Sequence, residues 1–366
     1  MRPHECEVTF VDAARVCWGA EESLLTLASE AKKHAGVRLI CRSPDLAERW
    51  AREVSPTVQL SPPITTTRWW RVGDIYWCLR QWRQFRRKGC YVFFSYHLVV
   101  AAPLLRALNR RSTLVLDLHD RILGRRGVAL LRFFARRLDV VLAISRYVAE
   151  PLKDVPVRQL VLYRPVRERP ISTAHPAGRF AVGVLGQLAP HKGHQLVLDA
   201  FAHLTDRFTL VFRGGPGLSP ASAYVDNLRR AGALLLGSRF RIAPRTHASH
   251  ALEDIDVCVV ANAREPLGRT VAESQIAGVL AVVPNAGGAA ELVESGETGM
   301  IYEADCATDL ARVLRLLADD NRLCAAIRVR AREVALERHA AEPYARKYLA
   351  AVFRLASSDN CAPGTG

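Results

Sequence analysis

The stretch Arg264–Gly288, R-E-P-L-G-R-T-V-A-E-S-Q-I-A-G-V-L-A-V-V-P-N-A-G-G, constrains this chain more than any other. An apolar run, 256–260, precedes it and reads as a strand. Glu265, Pro266, Leu267 and Gly268 then make a turn, and Gly268 allows the backbone to come close to a ligand. Residues 270–277 read as a helix, whose N-terminus offers free N–H groups and the positive end of a dipole. A second strand, 280–283, leads into Asn285, Ala286, Gly287 and Gly288. Two carboxylates eight positions apart, Glu265 and Glu273, thus gather with two glycine-bearing loops at the carboxyl end of a parallel sheet. Open α/β folds bind ligands at that end. Spacing alone leaves open the plainer alternative of an amphipathic helix carrying two ordinary surface acids.

The rest of the chain repeats the same grammar. Short apolar runs at 7–11, 37–41, 91–95, 113–118, 140–144 and 160–163 alternate with segments of helical period. The pattern resumes at Phe180 with strands at 180–186, 209–213 and 240–242. This is the signature of doubly wound α/β domains. The stretch 55–67 is Pro-rich and reads as irregular. Arg164–Gly178 carries three prolines and little apolar content, which marks a linker. The expected organisation is an N-terminal Rossmann-like acceptor domain over 1–165, a linker over 166–178 and a donor domain over 179–339. A helix over 340–356 is expected to pack back on the first domain, with a disordered tail over 357–366.

Charge is unevenly spread. Residues 1–170 hold 30 Lys and Arg against 16 Asp and Glu, a net of +14 out of +15 for all 366 residues. Such a field attracts phosphates, anionic membrane or nucleic acid. Between Arg68 and Lys88, Trp69, Trp70, Tyr76, Trp77 and Trp82 alternate with basic residues. That pattern suits an amphipathic helix with solvated arginines, or contact with membrane headgroups. No nucleic-acid module accompanies it, so nucleic acid is not an expected partner. No run of 18 apolar residues is present, and the N-terminus reads as a strand rather than a signal peptide. The nine cysteines form no C-x-x-C pair and no metal spacing, so they read as reduced thiols. A cytoplasmic protein, able to touch the inner face of the membrane, fits these features. Arginine outnumbers lysine 45 to 6, a bias expected of GC-rich, bacterial coding.

A second candidate site is Gly186-Gln187-Leu188-Ala189-Pro190-His191-Lys192-Gly193, between a strand and a helix. A glycine turn with a lysine at a helix start suits a diphosphate. The alternative is a plain strand–turn–helix with an exposed lysine. His119, in a His-Asp step at a strand end, reads by itself more readily as a structural histidine. Trp18-Gly19-Ala20-Glu21 is a loop entering a helix, and Arg213 and Gly214 end a further strand.

The run from Glu265 to Gly299, with its E-x7-E spacing and the later G-G-A-A-E-L-V-E-S-G-E-T-G, resembles the donor-site signature of retaining glycosyltransferases of family 4. The resemblance is strong over 180–299 and loose before it. It implies a GT-B fold, two facing Rossmann-like domains with a cleft between them. It implies transfer of a sugar from a nucleotide diphosphate sugar, UDP-sugar ahead of GDP-sugar, with retention and with no metal or other cofactor. Glu273 would hold the ribose hydroxyls and Glu265 the transferred sugar. The N–H groups of Leu267, Gly268 and Arg269 would face sugar and phosphates, and Lys192 would grip the diphosphate. His119 would contact a sugar hydroxyl. Gly19, Gly186 and Gly214 would let backbone approach the donor. Two departures stand out. Gln187 occupies the place of an expected Arg, making Arg213 or Arg269 the expected replacement cation, and Trp18 replaces the first glycine of a G-G-x-E step. The acceptor expected from the charge is anionic or lipid-linked, or else a polar small molecule. The competing readings are an epimerase or hydrolase on the same fold and an idle nucleotide-sugar-binding partner.

Overall fold

The computed structural model describes residues 7–15, 17, 19–60, 73, 76–78, 80–86, 88–122, 124–171, 179–215, 222–244, 246 and 250–353. The chain divides into two compact units. One comprises 1–165 together with 340–366, the other 166–339.

The first unit holds seven parallel strands: β1 Glu7–Asp12, β2 Gly36–Cys41, β3 Val58–Leu60, β4 Cys90–Phe93, β5 Thr113–Leu118, β6 Val140–Ala143 and β7 Arg158–Val161. Their order is β3-β2-β1-β4-β5-β6-β7. Helices cover the sheet, so the strands read as nearly continuous apolar runs rather than alternating ones. Local chemistry sets several helix starts. Ser43 caps Pro44–Glu53 by accepting from the Leu46 N–H at 3.2 Å, and Pro44 presets the first turn. Ser145 does the same for Arg146–Ala149, at 3.1 Å from the Val148 N–H.

The helix Ala341–Phe353 belongs to this unit and shares its core. Tyr348 stacks 6.2 Å from Phe10, whose other neighbour is Trp50 at 5.9 Å. Beneath it lies a buried ion pair. Arg164 reaches both oxygens of Asp117 on β5, one of them at 3.0 Å, and the Tyr348 hydroxyl donates to Asp117 at 2.9 Å. Residues 117, 164 and 348 come from three separate stretches, so this network staples the last helix to the centre of the sheet.

The second unit has six parallel strands: β8 Phe180–Leu185, β9 Phe208–Arg213, β10 Phe240–Ala243, β11 Val257–Val259, β12 Leu280–Pro284 and β13 Met300–Tyr302. Their order is β10-β9-β8-β11-β12-β13. The chain therefore reverses direction of winding between β8 and β11, which register through Val182 and Val257. In the first unit the matching switch lies between β1 and β4.

Some elements differ from the sequence expectation. Within the Pro-rich stretch, β3 pairs with β2 through Val58 and Leu39. Three residues cannot display a period, and the same holds for β13, which had no sequence signal. After β4 the chain forms a 3-10 turn, Tyr96–Ala101, before the helix Ala102–Leu108. Ser95 does not cap it, because its hydroxyl donates to Asp12 at 2.9 Å. In the aromatic and basic stretch, Trp77 is 1% exposed, with the Arg42 guanidinium 5.9 Å from its ring. It packs in the core and cannot serve a membrane face. Arg68, Trp69 and Trp70 lie outside the described residues, as do Trp18, the end of the expected linker and the tail from 354. Residues 166–171, expected to be linker, lie in the second unit, where the Val166 N–H donates to the His339 carbonyl at 3.1 Å.

Candidate donor site in the second unit

Loops leaving the carboxyl ends of β8, β9, β11 and β12 meet at the switch between β8 and β11, the position at which open α/β sheets take ligands. After β8 the chain turns at Gly186 and runs through the short turn Pro190–Lys192 to Gly193, whose φ is +72°. A side chain at Gly193 would put its Cβ 2.4 Å from the Ala261 carbonyl oxygen. Glycine here lets the β8 and β11 loops touch.

That contact brings together residues 73 positions apart. Lys192 Nζ donates to Glu265 Oε2 at 2.8 Å. Asn262 Nδ2 donates to the same oxygen at 3.2 Å. The Gly288 N–H donates to the Glu265 carbonyl at 2.7 Å, and Gly287, at φ +75°, packs its Cα where a Cβ would lie 2.9 Å from the Ala263 carbonyl. Glu265 is thus held from three loops.

Gly268, at φ +82°, caps the helix Arg269–Ile276. A Cβ there would meet Ala289 at 2.9 Å. The Val271 N–H donates to the Gly268 carbonyl at 2.8 Å, and the helix start is the positive, anion-favouring end of the dipole. Leu267 is buried beside it. Glu273, one turn on, accepts from Arg269 Nε at 2.8 Å and pairs with Arg169 Nη2 at 2.9 Å. Both contacts fall on Oε1; Oε2 receives neither. The sequence pattern did not single out Arg169 or Asn262. Arg169 sits among prolines with no local periodicity, whereas Asn262, three residues before Glu265 and just past a strand, did offer a turn signal.

One expectation needs correction. Arg213 is not the replacement cation: its Nη1 donates to the carbonyls of His250, Ala251 and Glu253 at 3.3, 2.6 and 3.1 Å, and it is buried. Burial also lowers its pKa from the usual guanidinium value. Its charge secures the 250–253 turn. The N–H groups of Gly186 and Gly214 are engaged within the unit. The Gly186 N–H is bound to the Arg213 carbonyl at 3.0 Å and that of Gly214 to the Ala243 carbonyl at 3.0 Å. Their role is steric, since a Cβ on Gly214 would lie 1.6 Å from the Gly186 oxygen. Gln187 sits in the same turn, and its carbonyl accepts from the Ala189 N–H at 3.0 Å.

His194, directly after Gly193, is buried with Nδ1 3.2 Å from the Tyr224 hydroxyl. Burial, reinforced by the charge of Lys192, pushes its pKa down to about 4, although a backbone hydrogen bond at Ala189 acts the other way. The unfolded chain therefore binds a proton near pH 6.5 that the folded chain refuses until about pH 4. Stability from neutral His194 is present in full above pH 6.5 and is lost as pH falls towards 4, by roughly 3 kcal/mol. Thermal melts of wild type and His194→Gln across that range should show a shallower acid slope in the variant.

His119 and Gly19 lie in the first unit. Gly19 opens the helix Gly19–Ala31. His119 follows β5, its ring centroid 4.8 Å from that of Phe94, with Nδ1 buried and unpartnered. Asp12, at the end of β1, faces His119 and His97 electrostatically, and burial raises its pKa. Its Oδ1 accepts from Ser95 Oγ at 2.9 Å and the Ala14 N–H at 3.1 Å. Among the described residues no three His, Cys, Asp or Glu side chains converge as a metal site, and no helix is long and apolar enough to cross a membrane.

Two parallel-sheet α/β units define the GT-B class, and comparison with solved structures agrees. The chain superposes on Anabaena Alr3699/HepE, solved in complex with UDP, with a TM-score of 0.83 at 19% identity, covering 95% of this chain and all of that one. Sucrose-phosphate synthase from Thermosynechococcus elongatus gives 0.80 at 17% identity, over 97% of this chain and all of its own. Residues 167–334 match the family model of glycosyl transferases group 1. Among curated proteins, D-inositol 3-phosphate glycosyltransferase of Corynebacterium glutamicum (strain R) is 28% identical over 180 residues, which are 45% of this chain and 43% of the relative. The Corynebacterium efficiens enzyme of that name matches equally well, at 28% over 181 residues. The chain thus spans less than half the length of these relatives.

Proposed function

We propose that the protein transfers a sugar from a nucleotide diphosphate sugar to an acceptor hydroxyl, with retention at the anomeric carbon and without a metal. The observation that carries this reading is the Lys192–Glu265 pair at the β8/β11 switch, beside the Gly268 helix start. UDP is the first candidate base, supported by the HepE structures in complex with UDP and UDP-glucose, and GDP the second.

On this reading the donor diphosphate takes Lys192 away from Glu265. The freed Glu265 carboxylate, an acceptor only, then turns to a hydroxyl of the transferred sugar. Glu273 accepts from the ribose hydroxyls. The bond between the anomeric carbon and the β-phosphate oxygen breaks, and the acceptor oxygen bonds to that carbon on the same face. The acceptor proton passes to the departing phosphate oxygen. Charge grows on that oxygen as the bond lengthens, so Lys192 and the N–H groups of the 269–276 helix start stabilise the transition state more than the ground state. The acceptor is anionic or lipid-linked, consistent with the +14 charge of residues 1–170 and with the phosphorylated polyol in the curated relatives' name.

The test begins with calorimetry of UDP binding. Glu273→Ala should weaken it by at least ~1.5 kcal/mol, one lost charged hydrogen bond. The variant also releases Arg169 and Arg269. If those arginines met the diphosphate while the ribose lay elsewhere, binding would tighten, and the assignment of Glu273 would fail. A panel of nucleotide sugars then separates the alternatives. Slow nucleotide release without acceptor supports transfer. Epimer formation would replace transfer by epimerisation. The neutral Gln187 favours an idle binding partner as the second reading, and binding without turnover across a broad acceptor panel would establish it.

A further inference from the structure

The helix Arg125–Ala135 of the first unit, R-R-G-V-A-L-L-R-F-F-A, turns its apolar residues both ways. Leu131 and Ala135 enter the core. Leu130 and Phe133, one turn apart on the other side, are 52% and 64% exposed. Positions 126, 130 and 133 recur at helical spacing, so Arg126, Leu130 and Phe133 share one outward stripe. The helix carries no acid. The neighbouring helix Ala102–Leu108 adds Leu104 and Leu108, 46% and 38% exposed. Arg106 joins the two, donating to the Arg137 carbonyl at 3.2 Å and to Asp139 at 2.6 Å.

Six exposed arginines lie on these two helices or in the residues directly after them: Arg110, Arg111, Arg125, Arg126, Arg136 and Arg137. None has an ion-pair partner among the described residues. Arg132, on the inner side of the same helix, contrasts with them: it donates to the Pro151 carbonyl at 2.7 Å and pairs with Asp154 at 3.2 Å. The outward arginines are thus left to solvent while the inward one is satisfied.

We infer that this face docks on an anionic lipid surface, with Leu130 and Phe133 entering the headgroup region and the arginines meeting lipid phosphates. The chemistry selects this occupant. Leucine and phenylalanine beside arginine give an amphipathic helix that lies in the interface plane. Each cation near such a surface adds attraction that salt screens. A second copy of the chain is a poorer fit, because a two-fold contact would set the same six cations against one another. The aromatic segment near Arg68 is not needed for this contact.

The test uses the full chain and vesicles of phosphatidylglycerol with phosphatidylcholine, against phosphatidylcholine alone. Cosedimentation should occur with the anionic vesicles, weaken as sodium chloride is raised, and fall about tenfold or more for Leu130→Ser/Phe133→Ser. A second variant, Arg126→Gln/Arg136→Gln, changes only exposed side chains and should lose binding in parallel. Circular dichroism melts establish that both remain folded. No binding to anionic vesicles, equal binding by parent and both variants, or a dimer that the Ser variant dissociates would each overturn the inference.

Discussion

Lys192→Ala is expected to cut turnover by about 10²–10³-fold, the usual effect of removing one preorganised group that meets developing charge. The fold should survive, since Lys192 is part-exposed on a surface turn and Gly193, not Lys192, makes the close approach to Ala261. The same residue also balances Glu265 in the unliganded protein. Its loss therefore leaves a carboxylate near the proposed diphosphate position, held among the described residues by Asn262. Donor binding should weaken along with turnover, by less than kcat falls, because charge on the leaving oxygen peaks in the transition state. Nucleotide release from UDP-sugar, followed at saturating donor, separates the two effects. An unchanged kcat would remove Lys192 from the chemistry. Glu265→Gln gives the complementary measurement, since it frees Lys192 without removing its charge.

The largest expected effect on stability lies in the other unit. Asp117→Ala should cost about 3–5 kcal/mol, because it strands the Arg164 guanidinium in a buried site without its counter-charge. It also deprives the Tyr348 hydroxyl of its acceptor, loosening the helix Ala341–Phe353 from β5. Denaturant unfolding measures the loss. The double variant Asp117→Leu/Arg164→Met should recover most of it, since removing both charges leaves no buried ion to solvate. A single variant that unfolds at the wild-type midpoint would show that the pair contributes nothing.

Parts of both sites were legible without coordinates. Gly268 and Gly193 take left-handed φ where the glycine turns required it, and the strands flanking Glu265 begin and end within a residue or two of the apolar runs. Arg213 was misread because a cation at a strand end looks the same whether it faces a ligand or three carbonyls. Trp77 was left between two readings, because an aromatic beside arginines fits both a membrane face and a core.

The amino-acid pattern by itself determined what depends on neighbours along the chain: two runs of parallel strands, the helix after Gly268, the Ser43 and Ser145 caps, and the family-like run from Glu265 to Gly299. These follow from periodicity and turn chemistry, which act over a few residues. Tertiary structure alone decided which charges meet. Lys192 reaches Glu265 across 73 positions, Arg169 reaches Glu273 from a Pro-rich stretch, and Arg164 finds Asp117 and Tyr348 in the core. The reason is that a side chain's partner is set by where loops of distant strands close upon each other. No spacing within one segment carries that information.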